Sequence, residues 1–118
     1  MKLADALRSE CSHPNVESAD KSDLLRRITK LAKATSVLYD VDEETLYAAL
    51  RDREELRSTG LGNGVAIPHC RLEGISDFVA GIVTVPAGVD FDAPDEQPVT
   101  IAVFIIAPAE QPNEHIRL

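Results

Sequence analysis

In this 118-residue sequence the side chain best placed to do chemistry is His69. It follows Pro68 directly, at the end of the short apolar run Val65-Ala66-Ile67, with Cys70 and Arg71 behind it. A neutral imidazole is nucleophilic and titrates near neutral pH. Proline fixes its own backbone and lacks a donor, so the next residue is held in a defined direction. Strand ends are also where α/β folds place their chemistry. A structural histidine in a loop fits the segment equally well. Upstream, Gly60, Gly62 and Gly64 alternate through Gly60-Leu61-Gly62-Asn63-Gly64. Glycines let backbone N–H groups approach an anion, which makes this stretch a candidate phosphate cradle. A dinucleotide loop needs G-x-G-x-x-G between a strand and a helix, whereas here the order is helix, glycines, strand. The G-K-[ST] of a P-loop is absent as well, and a plain turn is the other reading. His115 and Arg53 have ordinary readings too, as a solvated helix residue and a helix C-terminal cation. Cys11 with His13 makes a poor metal pair. Asp90, Asp92 and Asp95 lack the glycine and glutamate of a calcium loop, so no metal site is expected.

The elements that must position these residues follow from periodicity. Leu24, Leu25, Ile28, Leu31 and Ala32 form one apolar stripe, which predicts a helix over residues 20–35 with Ser18 or Asp20 as N-cap. A second helix is predicted from Asp40 or Asp42 to about Arg53, with acids at its positive end and Leu46, Ala49 and Leu50 on its buried face. A short helix over residues 2–8, followed by a loop, is the reading of the weakly patterned start. Residues 65–67 read as a strand stopped by Pro68. Residues 78–85 are rich in strand formers, and 86–97 read as a loop. Residues 99–106 are so apolar that they predict a central strand covered on both faces. Pro108 and Pro112 end it, and Asn113 caps a last predicted helix that begins at Glu114. The expected fold is α/β, a mixed β-sheet flanked by helices.

Composition bounds the rest. The length fits one domain, residues 1–118. Twelve basic and 20 acidic residues give a net charge of −8, which argues against nucleic acid or an anionic membrane as partner. No apolar run approaches the ~20 residues of a membrane span. The start has no secretory h-region, and two cysteines cannot make a disulfide framework, so a cytoplasmic protein with reduced thiols is expected.

The run from Arg53 to His69, with its Ser58-Thr59-Gly60-Leu61-Gly62-Asn63-Gly64-Val65-Ala66-Ile67-Pro68-His69 core, resembles the active-site signature of enzyme IIA domains of the fructose/mannitol type. These belong to the bacterial phosphoenolpyruvate-dependent sugar phosphotransferase system. Gly88 to Ala93, residues 98–108 and Asn113-Glu114-His115 look like later family segments, so the resemblance spans roughly residues 15 to 118. It implies a phosphocarrier. His69 matches the histidine that takes a phosphoryl group from the histidine-containing phosphocarrier protein and passes it to a IIB domain, usually to a cysteine. Arg53 matches the arginine that opens the signature, and His115 a second active-site histidine. Ser58, Thr59 and the glycines at 60, 62 and 64 are then expected to donate to phosphate oxygens. No metal or organic cofactor is implied. Use in sugar uptake and use in nitrogen-type regulation both remain, with Gly62-Asn63-Gly64 leaning toward regulation. A degenerate binding module on the same fold is the alternative. Cys70 stands where the family often has glycine and is expected to be a small filler. The family usually continues through further helices, so the chain is expected to be C-terminally short. One sheet face should then stay partly open and favour self-association, unless residues 1–15 fold over it.

Overall fold

The computed structural model describes residues 7–109. Two helices, α1 (Lys21–Ala32) and α2 (Glu43–Leu56), precede five strands, β1 (Gly60–Gly62), β2 (Val65–Ala66), β3 (His69–Leu72), β4 (Val79–Val89) and β5 (Val99–Pro108). The strands form one mixed sheet, so the α/β expectation holds. Both helices start where a carboxylate can take an otherwise unpaired N–H. Asp20 accepts from the Asp23 amide at 2.8 Å and Asp42 from the Thr45 amide at 3.1 Å. The second helix runs one turn further than its apolar pattern suggests, because Glu54 continues the buried stripe of Leu46 and Leu50.

Strand β5 is central in its pairing. It lies antiparallel to β4 on one edge and parallel to β2 and β3 on the other. Val65 pairs with Ile101 and His69 with Ile105, a constant offset of 36 residues in both cases. Strands β2 and β3 are therefore two parts of one line along β5, interrupted at Ile67 and Pro68. Pro68 cannot donate to the ladder, yet its carbonyl still accepts the Ile105 amide at 3.0 Å. Strand β1 folds back on β2 through Asn63 and Gly64, both at positive φ (57° and 80°). That two-residue turn has the twist that tight hairpins need.

Three expectations change here. Strand β4 runs through Pro86 to Val89 instead of stopping at residue 85. Its register shifts between Thr84 and Val89, so Pro86 and Ala87 sit exposed at an irregularity where no ladder donor is needed. Residues 69–72, not anticipated as a strand, form β3. Of the short helix expected over residues 2–8 only Leu7 and Arg8 are described, and they are extended; a single 3-10 turn follows at Ser9–Cys11. Leu7 and His13 bridge to Ala80 and Val83, and the Arg8, His13 and Val16 amides donate to carbonyls of β4. This segment occupies the outer edge of β4, where a bare strand would otherwise offer unpaired groups. Residues 1–6, and the last helix expected from Glu114, lie outside the described residues.

Among the described residues the two faces of β5 are covered differently. Val99, Ala102, Phe104 and Ile106 are buried with Leu24, Ile28, Leu46 and Leu50 of the helices. On the opposite face Ile105 and Ala107 pack with Phe78, Ala80 and Leu7, without any helical residue, and Ile101 is 40% exposed.

Candidate active site

The end of α2, the start of β1 and residues 69–71 of β3 surround a cleft of about 990 Å³. His69, Arg53, Ser58, Thr59 and Gly60 line it, together with Arg57, Arg71 and Asp92, over apolar ground from Ile67, Phe78 and Ile105. The interruption at Pro68 is what orients His69. Ile67 turns its amide and carbonyl away from β5, and its amide reaches the Thr59 carbonyl at 3.1 Å. The Ile67 carbonyl accepts from Nδ1 of the half-buried His69 at 2.8 Å. A carbonyl can only accept, so Nδ1 carries the proton and the lone pair of the neutral ring sits on Nε2.

The arginines divide into two groups. Arg8, Arg26, Arg27 and Arg51 each pair with a carboxylate. Arg53, Arg57 and Arg71, the three that line the cleft, have no carboxylate partner among the described residues. Arg53 lies in the last turn of α2 and donates to the Arg57 carbonyl at 3.0 Å, which caps the helix end and leaves its remaining donors unassigned. Unneutralised guanidinium groups beside a nucleophilic nitrogen make a site for a multiply charged anion. Arg57 and Arg71 were not singled out from sequence. Arg71 was findable, because it is two residues from His69 on a strand and shares its face. Arg57 follows the helix in extended backbone and carries no periodic signal.

The hydroxyls and glycines behave differently from the phosphate-cradle expectation. Ser58 donates its hydroxyl to the Phe91 carbonyl at 2.6 Å and accepts the Gly60 amide at 3.1 Å. Thr59 is buried. Its amide lies 2.7 Å and 3.2 Å from the two Glu54 oxygens, and its hydroxyl also bonds Glu54. These donors are already taken up within the protein. Gly62 and Gly64 shape the hairpin and do not line the cleft. The Gly64 carbonyl accepts from Thr100 and Ile101, and Asp95 takes the intervening Asn63 amide at 2.8 Å. Gly62 and Gly64 thus serve a tight turn, and the positive charge that lines the cleft comes from arginine. His115 lies outside the described residues.

The family model described as "Phosphoenolpyruvate-dependent sugar phosphotransferase system, EIIA 2" matches residues 5–118. This chain belongs to that EIIA family. A nitrogen regulatory protein of Pseudomonas aeruginosa is 36% identical over 118 residues, all of this chain and 75% of that protein. The crystal structure of the nitrogen regulatory protein IIA-Ntr of Neisseria meningitidis superposes with a TM-score of 0.81 at 29% identity, covering 92% of this chain and 72% of that one. IIA mannitol of Escherichia coli shares the fold, with a TM-score of 0.65 at 23% identity over 94% of this chain and 75% of that one.

Within this EIIA domain Cys70 points into the core and is 6% exposed. Burial pushes its thiol up to about 12, so it is a poor nucleophile despite following His69. Among the described residues, no group of three or more His, Cys, Asp or Glu is arranged to hold a metal ion. No described helix is long and apolar enough to cross a membrane.

Proposed function

We propose that this EIIA domain is a phosphocarrier in which His69 Nε2 is the phosphoryl acceptor. The observation that carries the reading is the Nδ1–H bond to the Ile67 carbonyl in a cleft of three carboxylate-free arginines. The Nε2 lone pair attacks the phosphorus of a phosphohistidine on the histidine-containing phosphocarrier protein. The donor's P–N bond breaks and its electron pair stays on the donor nitrogen. The proton stays on His69 Nδ1, donated to the Ile67 carbonyl throughout, so no base is required. The transferred group is planar and highly charged in transit, and arginine forks suit it. Arg53 is its principal partner, and His115, by resemblance, a second donor. In a second transfer a nucleophile of a IIB domain attacks the phosphorus and the P–Nε2 bond breaks with its electron pair returning to His69; without that transfer the phosphorylated domain persists as a signal in the cytoplasm.

Of the two uses, regulation is the better supported. The nitrogen regulatory relatives match nearly all of this chain and 70–75% of their own length. Incubation with phosphoenolpyruvate, enzyme I and the phosphocarrier protein should give an acid-labile phosphate on wild-type protein and none on His69→Ala. Equal labelling of both would overturn the assignment. No labelling of the wild type would favour the degenerate binding module.

A further inference from the structure

Glu54 is the buried acid of this molecule that the transfer chemistry leaves unused. Its side chain is 3% exposed. A buried carboxylate is costly unless it is paired and hydrogen-bonded. Lys21 supplies one partner at 3.4 Å, but that ammonium is shared with the Phe91 carbonyl and with Asp92. The remaining partners are both on Thr59, its amide and its hydroxyl. An apolar side chain at this position would leave the buried Thr59 amide and hydroxyl without their acceptor. What a carboxylate does here that leucine could not is fix Thr59 from two directions.

Thr59 leads to the imidazole in two further hydrogen bonds. Its carbonyl accepts the Ile67 amide at 3.1 Å, and the Ile67 carbonyl accepts His69 Nδ1–H at 2.8 Å. These links meet at different peptide groups, so they transmit position and not charge. We infer that Glu54 is a positioning residue for His69: by holding Thr59 it places the Ile67 carbonyl that selects the imidazole tautomer and its direction. Arg53, the adjacent residue in the same helical turn, is brought into line by the same anchor. The inference rests on the carrier reading for its effect on transfer, and on geometry alone for its effect on the ring.

Heteronuclear NMR of labelled imidazole nitrogens, at a pH where the rings are neutral, reads the tautomer without any phosphoryl donor. In the wild type His69 should carry its proton on Nδ1. In Glu54→Ala a large share should move to Nε2, while exposed His13 is unchanged. Initial rates of phosphoryl acceptance should fall roughly ten- to a hundredfold in the same variant, the usual scale of a misplaced reacting group. Glu54→Gln keeps an oxygen for the Thr59 amide and an N–H for its hydroxyl, and should restore the Nδ1–H form. If Glu54→Ala does not fold, Glu54→Asp makes the same test, because the shorter arm keeps the charge and cannot reach Thr59. A folded Ala or Asp variant whose His69 keeps the wild-type tautomer overturns the inference. A wild type that shows the Nδ1–H ring and takes no phosphate would defeat the carrier reading and leave this result intact.

Discussion

Arg53 lines the cleft and commits one of its five N–H donors to the Arg57 carbonyl. Lysine would keep the charge and lose both the cap and the planar fork. Arg53→Lys should therefore slow phosphoryl acceptance on the order of a hundredfold, the scale of losing one positioned donor. A lysine variant at the wild-type rate would mean that only the charge counts. Cys70 gives a second test. Its ordinary value is 9.0, and burial lifts it to about 12 in the fold. A thiol whose pKa is raised by folding adds stability that is fully present below 9.0 and is lost as pH rises through about 12. At mildly alkaline pH the native thiol should resist alkylation while the urea-unfolded chain reacts quickly. Equal rates would show that the site opens freely. At this scale His69 is legible from residue type and local order, and Arg53 only through the resemblance carried by the run from Arg53 to His69. Glu54 was hidden in a charged run, although steps of four from Leu46 and Leu50 place it on the buried face.

The β1–β2 hairpin depends on one exposed side chain. Asp95 accepts the Asn63 amide at 2.8 Å and the Gln97 amide at 3.1 Å, and the Asn63 bond above all holds its carboxyl below the usual range. A depressed carboxylate stabilises what it holds above the ordinary carboxylate pKa, and the effect vanishes as pH falls through the lowered value. Asp95→Ala should speed hydrogen exchange at the Asn63 amide at neutral pH, and acid should do the same to the wild type. An unchanged exchange rate would assign the hairpin's order to backbone alone. In β4, a Cβ added at Gly81 would lie 2.4 Å from Phe104 Cζ and 2.9 Å from the Cys11 carbonyl. Gly81→Ala should destabilise the fold by roughly 1–3 kcal/mol or more, seen as a lower urea midpoint. The helices were legible because their apolar stripes are long. Strand β3 was not, because four residues with an arginine among them show only the alternation of buried Cys70 and Leu72 with His69 and Arg71.

Over the whole molecule the charge is segregated. The sequence carries −8, yet the unneutralised arginines of the described residues gather at one cleft. Arg71→Glu and Arg27→Glu change the net charge equally, but only Arg71 lines the cleft. The first should slow phosphoryl acceptance far more than the second, and raised salt should narrow the gap as exposed charges are screened. Identical slowing in both variants would point to net charge alone. The sheet order was beyond the reach of periodicity, since local pattern does not say which distant strand a short one joins. That β5 sits in the middle was legible from its apolar run. Which face the helices take was not, because its alternating positions are apolar on both sides.

The constant offset between β5 and the broken line of β2 and β3 has a consequence in time. The partner that aligns His69 is Ile105, 36 residues later in the chain. Until β5 exists, the segment from 65 to 72 has no strand to lie along. Its parallel pairing closes a long loop, an entropic cost that must be met before any contact rewards it. The antiparallel pairing of β4 with β5 spans a shorter connection and should nucleate first. The histidine segment then docks onto a ribbon already made, so the proposed acceptor nitrogen is among the last atoms to reach its place. Pulse-labelled hydrogen exchange during refolding should show β4 and β5 amides protected before those of β3. On a growing polypeptide the domain would stay chemically silent until nearly all of its described length had been synthesised.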